Sequence, residues 1–510
     1  MAVPLQPVPV PLGDGVTLEA PGLTGTAELQ PGLLGGRSTD EPNATPGFEA
    51  ALREQDFYQL HAVEVRSQED AFPTDVLRTR SGAPAMVLRV PDLGSTQPQV
   101  LMMVDEAGVV TWHLPETEEA HPGQIAFTVD RTVAENSALP DVEGGAVGAG
   151  GAETTDRGLV AKIGSKLLTV LVVPILEKAV GLAGKAAIKA YEDKNRPQGM
   201  RWMTPTGFRT AGSDPVHDWS LLAEGRTLLF LHGTASSSHG AFQGLPDATF
   251  QRLHTAYGGR VLAFDHHTLS ADLDDNLTEL LTHLPTGRRI PVDVISHSRG
   301  GLVGRAIAAA MTKGDAPLDV RSLVYVATPN DGTPLADPEH IRAYLDRVTT
   351  MLNLVPDGPW SVVTDTLSGL LTVIRSLLAG VVQELPGLAV MRPDNPRLNE
   401  LPFLGSLGAT EYAVDVEFEP KGRLLRLVRG VDGLVDTVFD DEPNDIVVPT
   451  NGVTRVRNRS DFTVEPARHV ALGQSEASWH CAMFSQAPTG EALDNWLAAP
   501  LVAAPGNGHG

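Results

Sequence analysis

The stretch Pro291-Val-Asp-Val-Ile-Ser-His-Ser-Arg-Gly-Gly-Leu-Val-Gly-Arg305 constrains this chain more than any other. Apolar residues lead into Ser296-His297-Ser298-Arg299-Gly300, and a helical pattern follows. Strand, sharp turn and helix in that order form a nucleophile elbow. The turn lifts a serine hydroxyl out at the end of a sheet, and the helix N-terminus points at it. Small residues flank such a serine because the turn is crowded. Ser298 is the candidate nucleophile, in S-x-S-x-G, with Ser296 where glycine is usual. Alone, such a match describes many ordinary strand-to-helix turns, so an oxyanion hole, an acid and a base must come from elsewhere in the chain.

A chain of 510 residues has room for two or three domains. Its 42% hydrophobic and 20% charged content suits a globular protein with a large core. The formal charge of −24 argues against a nucleic-acid partner and against broad attraction to anionic membranes. Cys481 is the only cysteine, which excludes an intramolecular disulfide and a cysteine metal cluster. The N-terminal residues lack the basic start and apolar core of a signal peptide, and no run is long enough for a transmembrane helix. A cytoplasmic location is the expectation.

Residues 1–46, rich in Pro, Gly and Thr, read as an irregular arm. Phe48 to Gln55 reads as a short helix. Residues 47–135 then carry short alternating runs at Tyr58–Val65, Ala85–Val90, Gln99–Asp105, Val109–Leu114 and Gln124–Asp130, a small β-rich domain. Glu106-Ala107-Gly108 reads as a hairpin loop within it. Residues 136–157 are Gly-rich and form a linker. The helical segment 158–196 follows, with Leu159–Tyr191 apolar and Lys162, Lys166, Lys178, Lys185 and Lys189 at helical spacings. This locally basic pattern admits peripheral membrane contact through 159–191; a helical hairpin packed on the protein body is preferred. No protein partner of the β-rich domain is legible.

Residues 197–500 alternate strands and helices, which implies a mostly parallel sheet covered by helices. Strands are expected at Arg201–Phe208, Thr227–Leu231, Arg260–Phe264, Val292–Ile295, Val320–Val326 and Arg423–Val428, with helices at Leu273–Leu284, Gly301–Thr312 and Glu491–Leu497. Catalytic groups should gather at the carboxyl ends of these strands. Between about 335 and 405 an apolar helical insertion interrupts the rhythm, as a lid or apolar channel would. Residues 501–510 read as a flexible tail.

Serine at its free pKa is a poor nucleophile. It needs an imidazole to take its proton and a carboxylate to orient that imidazole. The chain offers Ser298, then Asp445, then His480. Asp445 is preferred because apolar residues follow at once and anchor it; Asp436 is the fallback within an acidic run. His480 is preferred over His469 for the same reason. Two backbone N–H donors must meet the oxyanion: that of Arg299, after the nucleophile, and that of Thr234, in the His232-Gly233-Thr234 loop. His232 reads as architectural, His297 as a packing or hydrogen-bonding residue, and Asp265 as a residue that orders a strand-end loop. Asp265-His266-His267 is a weak metal set, since adjacent His side chains diverge.

Leu231-His-Gly-Thr234, Phe264-Asp-His266, Ser296-His-Ser-Arg-Gly-Gly301, Ala327-Thr-Pro-Asn-Asp-Gly-Thr-Pro334, Asn444-Asp-Ile-Val-Val-Pro449 and Trp479-His480 together resemble the α/β-hydrolase superfamily and, within it, bacterial lipase-like serine esterases. The resemblance spans about residues 200–500. It implies ester hydrolysis through an acyl-serine, with no cofactor and no metal. Two positions depart from the pattern: Ser296 replaces the usual glycine, and Arg299 stands where Met or Gln is common. The superfamily includes acyltransferases and inactive members, so acyl transfer and a partner-binding effector module are the alternative functions.

Overall fold

The computed structural model describes residues 1–30, 52, 57–68, 86–105, 110–129, 163–173, 184–210, 215–216, 219–285, 288–314, 317–354, 360–378, 385–419, 438–439, 442–457, 459–475 and 478–503. Two compact units divide them: one drawn from 1–30 and 58–172, the other mainly from 173–503.

The first unit consists of two antiparallel sheets. One runs in the order Val3–Pro4, Thr24–Gln30, Tyr58–Gln68, Ile163–Val172, Gln99–Asp105, Val110–His113. The other runs Val10–Gly13, Val16–Glu19, Met86–Pro91, Gln124–Val129, Glu116–Thr117. Alternate residues point inward, so Val63, Val65, Leu88, Val90, Leu101, Met103, Phe127, Leu168 and Val170 share one core.

Two expectations are corrected here. The irregular arm over residues 1–46 contains four strands within its first thirty residues. Pro4 and Pro11 sit in edge strands, where a missing N–H costs no ladder bond, and Gly13-Asp14-Gly15 turns with positive φ at all three residues. Of the helical hairpin expected over Leu159–Tyr191, the first arm is instead a strand at Ile163–Val172, and the second contains a helix, α1, at Gly184–Asn195. The strand lies between Tyr58–Gln68 and Gln99–Asp105, antiparallel to both. A short run such as Leu167-Leu-Thr-Val-Leu-Val172 suits a buried strand as well as a helix, and β-branched residues tip it to strand. The linker 136–157, the loop 106–108, most of the Phe48–Gln55 helix and the Arg423–Val428 strand lie outside the described residues.

The second unit is the covered, mostly parallel sheet that the alternating pattern implies. Its strands are β1 (Gly199–Trp202), β2 (Thr227–Leu231), β3 (Val261–Asp265), β4 (Ile290–His297), β5 (Leu318–Val326), β6 (Thr410–Phe418) and β7 (His469–Ser475). Their order is β1-β3-β2-β4-β5-β6-β7, with β1 antiparallel and all other pairs parallel. Every residue of β2 and β3 is buried, as expected of strands covered on both faces. The main core gathers Leu228, Phe230, Phe242, Phe250, Ile295, Val324 and Val414.

Helix α2 (Leu273–His283) starts with a capping box in which Asp272 and Asp275 satisfy each other's backbone N–H. Helix α3 (Gly300–Lys313) ends at Gly314, whose left-handed φ of +78° closes the last turn. The stretch 335–405 contains α4 (Ile341–Leu354) and α5 (Trp360–Leu378). Ala499–Ala503 is a further helical turn, so helix reaches into the tail expected to be flexible; residues 504–510 lie outside the described residues.

Candidate active site

Ser298 sits between β4 and α3 with φ +52°, a left-handed conformation uncommon outside glycine. Its N–H donates to Val326 O on β5 at 2.9 Å, and its own carbonyl accepts from Gly301 N–H at 3.0 Å. The turn is crowded on every side. A Cβ on Gly300 would stand 2.2 Å from Leu231 O, one on Gly301 2.2 Å from Thr328 Oγ1, and one on Gly233 2.7 Å from Ser298 Cβ. Only glycine fits at these three positions. Ser296 fits where glycine is usual because its buried hydroxyl donates to Val324 O on β5 at 2.7 Å.

Of the five described non-glycine residues with positive φ, Ala235, Ser298, Ala327 and Ile446 all lie at or beside the ends of this region's strands and loops. Strain gathered in this way is common where side chains are presented to a ligand.

A pocket of about 740 Å³, counting the part open to solvent, collects these elements. Ser298, His297, Thr234 and His480 line its polar end; Leu335, Ile341, Leu388, Met391, Val447 and Val448 supply apolar wall. Asp445 lies behind His480. Its Oδ2 accepts from His480 Nδ1 at 2.8 Å, while Oδ1 accepts the N–H groups of Val447 at 2.9 Å and Val448 at 2.7 Å. His480 N–H also donates to Asp445 O at 3.1 Å, so the two residues are tied by backbone and side chain together. With Nδ1 committed to the carboxylate, Nε2 is the imidazole nitrogen left to face the pocket. Asp445 is 1% and His480 6% exposed, which keeps their bond out of competing water.

Residues 195–498 match the family described as Domain of unknown function (DUF7379). The chain belongs to this family. No curated protein matches it. Among solved structures, lipase 1 from Pelosinus fermentans is 13% identical over 55% of this chain and 99% of its own, with a TM-score of 0.32. The haloalkane dehalogenase DatA from Agrobacterium tumefaciens C58 is 17% identical over 55% of this chain and 89% of its own, at 0.29. A thermophilic esterase from Thermogutta terrifontis is 15% identical over 54% of this chain and 90% of its own, at 0.30. Likenesses of this size assign no activity.

The remaining candidates within the DUF7379 domain have other partners. His469 is not at the pocket; its Nε2 bonds Asp415 Oδ2 at 2.7 Å across β7 and β6. Asp436 lies outside the described residues. His232 Nε2 accepts from His266 N–H at 3.1 Å, so that nitrogen carries no proton and its 3.7 Å approach to Asp265 is no ion pair. His266 stacks on His232 at 4.1 Å. Asp265 Oδ1 accepts from Ser238 N–H at 2.7 Å, and the carboxylate meets Arg201, so it orders this strand end. His297 Nε2 donates to His480 O at 3.0 Å. Burial first, then the neighbouring His480, lowers the His297 imidazole to about 3 and keeps it neutral. Burial pushes the pocket-lining Cys481 thiol up to about 12, with Asp445 adding to the effect, so it is no thiolate near neutrality.

Two further features that build this site are not among the residues read from the sequence. Thr333 donates through its hydroxyl to Val447 O, beside Asp445, and through its N–H to Met391 O at 2.8 Å. Glu192, fully buried on α1, accepts the N–H groups of Thr268 at 2.9 Å, Leu269 at 3.1 Å and Ser270 at 2.9 Å. Thr268 Oγ1 in turn accepts Ala235 N–H at 3.0 Å, which fixes the backbone next to Thr234. The Thr-Pro-Asn segment signalled the first of these; nothing in the α1 sequence signals the second.

Proposed function

We propose that the DUF7379 domain hydrolyses carboxylic esters through an acyl-serine intermediate. Ser298 Oγ attacks the ester carbonyl as His480 Nε2 takes its proton. Asp445 holds the imidazole by Nδ1 and stabilises the imidazolium that forms. The N–H groups of Thr234 and Arg299 receive the oxyanion. Collapse of the tetrahedral species breaks the bond to the alkoxy group, which leaves as alcohol with the proton from His480. Water, deprotonated by His480, then attacks the acyl-serine; the acid departs and Ser298 regains its proton.

The observation that supports this reading is the placement of Ser298 and His480 on one pocket, with Asp445 bonded to the far nitrogen of His480. The apolar wall drawn from Leu335, Ile341, Leu388 and Met391 favours a lipidic acyl group. In this reading the 335–405 insertion is the lid or channel that covers such a chain. Rates of p-nitrophenyl ester hydrolysis from acetate to dodecanoate test it. Wild-type turnover with a preference for the longer chains, lost by about 10³-fold or more in Ser298→Ala, is the expected result. An unchanged rate in Ser298→Ala would overturn the serine mechanism; a strict preference for acetate would overturn the lipidic substrate.

A further inference from the structure

Arg299 contributes two separate things to this site. Its backbone follows the nucleophile, and its side chain runs away from the pocket into a fully buried position. There the guanidinium reaches three segments. Nη1 donates to Asn276 Oδ1 on α2 at 2.8 Å, Nη2 to Ala271 O at 2.7 Å, and Nε to Gly387 O at 3.1 Å. Burying a cation is costly unless its donors are met, and here all three nitrogens are engaged. Burial lowers the guanidinium to about 10, while Glu192, Asp272 and Asp275 favour the charged form, so it stays protonated near neutrality.

Gly387 belongs to the turn Pro386–Ala389, which presents Leu388 and, two residues beyond the turn, Met391 to the pocket. This wall segment is seated on the loop 266–272. Gly387 N–H donates to Leu269 O at 3.1 Å, and a Cβ on Gly387 would stand 1.9 Å from Thr268 O. The Glu192 carboxylate and the Arg299 guanidinium both hold that loop, the first through the Thr268 and Ser270 N–H groups and the second through Ala271 O. The far end of the wall is held separately, where Thr333 N–H donates to Met391 O at 2.8 Å. A Met or Gln at position 299 could not reach all three acceptors.

We infer that the Arg299 side chain is a positioning residue for substrate selection: by clamping Gly387 and the 266–272 loop it fixes the Leu388–Met391 wall against which the acyl chain packs. This rests on the ester-hydrolase reading above. An apolar wall that moves by a fraction of an ångström loses contact with a long chain and affects a short one little. Arg299→Lys keeps a charge but cannot form the three-way fork.

The test is the ratio of kcat/KM for p-nitrophenyl octanoate to that for the acetate, with the melting temperature recorded alongside. Arg299→Lys is expected to lower this ratio at least fivefold. Met391→Ala lowers it too, and the double variant falls short of the product of the two single effects, because both act on one wall. Should Arg299→Lys fail to fold, Asn276→Ala removes one acceptor and leaves Arg299 in place, and must lower the ratio at least twofold. A ratio unchanged within twofold in the folded variants, with only the melting temperature reduced, would overturn the inference and show a purely structural cation. Failure of the hydrolase reading would look different: no Ser298-dependent hydrolysis of either ester by the wild-type protein.

Discussion

Asp445 Oδ2 accepts from His480 Nδ1 at 2.8 Å while Asp445 Oδ1 is held by two backbone N–H groups, so the carboxylate cannot turn away from the imidazole. Asp445→Asn keeps the shape but places an N–H or a weaker acceptor against Nδ1, which favours the wrong tautomer. It should lower kcat for ester hydrolysis by about 10³–10⁴-fold with a small change in KM. Steady-state kinetics on a single chromogenic ester checks this; a loss below tenfold would assign the orienting role to another carboxylate.

The oxyanion role proposed for Thr234 belongs to its backbone. Thr234→Ala removes a methyl and a hydroxyl, the latter beside Met391 Sδ at 3.6 Å, keeps the backbone N–H, and should leave kcat within a few-fold of wild type. Thr234→Pro deletes the N–H and should cost roughly 10²–10³-fold in kcat, the usual effect of losing one such donor. Circular dichroism on both variants separates this from misfolding. Equal losses in the two variants would place the donor elsewhere.

The elbow makes opposite demands at two neighbouring positions. Gly300→Ala drives a methyl into Leu231 O, 2.2 Å away on backbone that cannot yield, and should destabilise the domain by about 3 kcal/mol or more. Ser296→Gly removes one hydrogen bond to Val324 O and should cost about 1–2 kcal/mol, the loss of a buried bond plus added chain freedom, with activity kept. Urea unfolding midpoints of the two variants are the measurement.

Two buried imidazoles set an acid limit on stability. Burial, as the largest cause, lowers both His266 and His297 from the ordinary value of 6.5 to about 3. Each binds a proton more readily in the unfolded chain. Their stabilisation is therefore complete above pH 6.5 and is lost as pH falls from there towards 3. Within that window each contributes a slope of up to about 1.4 kcal/mol per pH unit. His297→Asn removes one contribution, so its unfolding free energy should fall less steeply between pH 6 and pH 4 than that of wild type, by about that amount. Parallel pH profiles would contradict the assignment.

How legible this was in the sequence varied with the kind of signal. Thr227–Leu231 appears as a strand with the bounds read from its unbroken apolarity, and β3, β4 and β5 shift by a residue or two. Thr234, Ser298 and His480 on the pocket, and Asp445 behind His480, are legible because elbow, oxyanion loop and late histidine each carry local patterns, whereas the apolar wall of Ile341, Leu388 and Met391 carries none. β6 is not legible as a strand because Glu411 and Asp415 break its apolar run. Both are buried with partners, Tyr325 at 2.6 Å and His469 at 2.7 Å, that lie on other strands. Ile163–Val172 reads as helix in the sequence because Lys162 and Lys166, four apart, mimic a helix face. The Glu192 and Arg299 clamps join residues scores of positions apart, and no local pattern announces such contacts.

The central claim is that Ser298 is an activated nucleophile, and active-site labelling reads this most directly. Incubation of the full chain with a fluorophosphonate, followed by peptide mass analysis, should find one adduct, on Ser298. It should disappear in Ser298→Ala and form far more slowly in His480→Ala. A folded wild-type protein that gives no adduct at Ser298, or an adduct whose rate is indifferent to His480, would contradict the account.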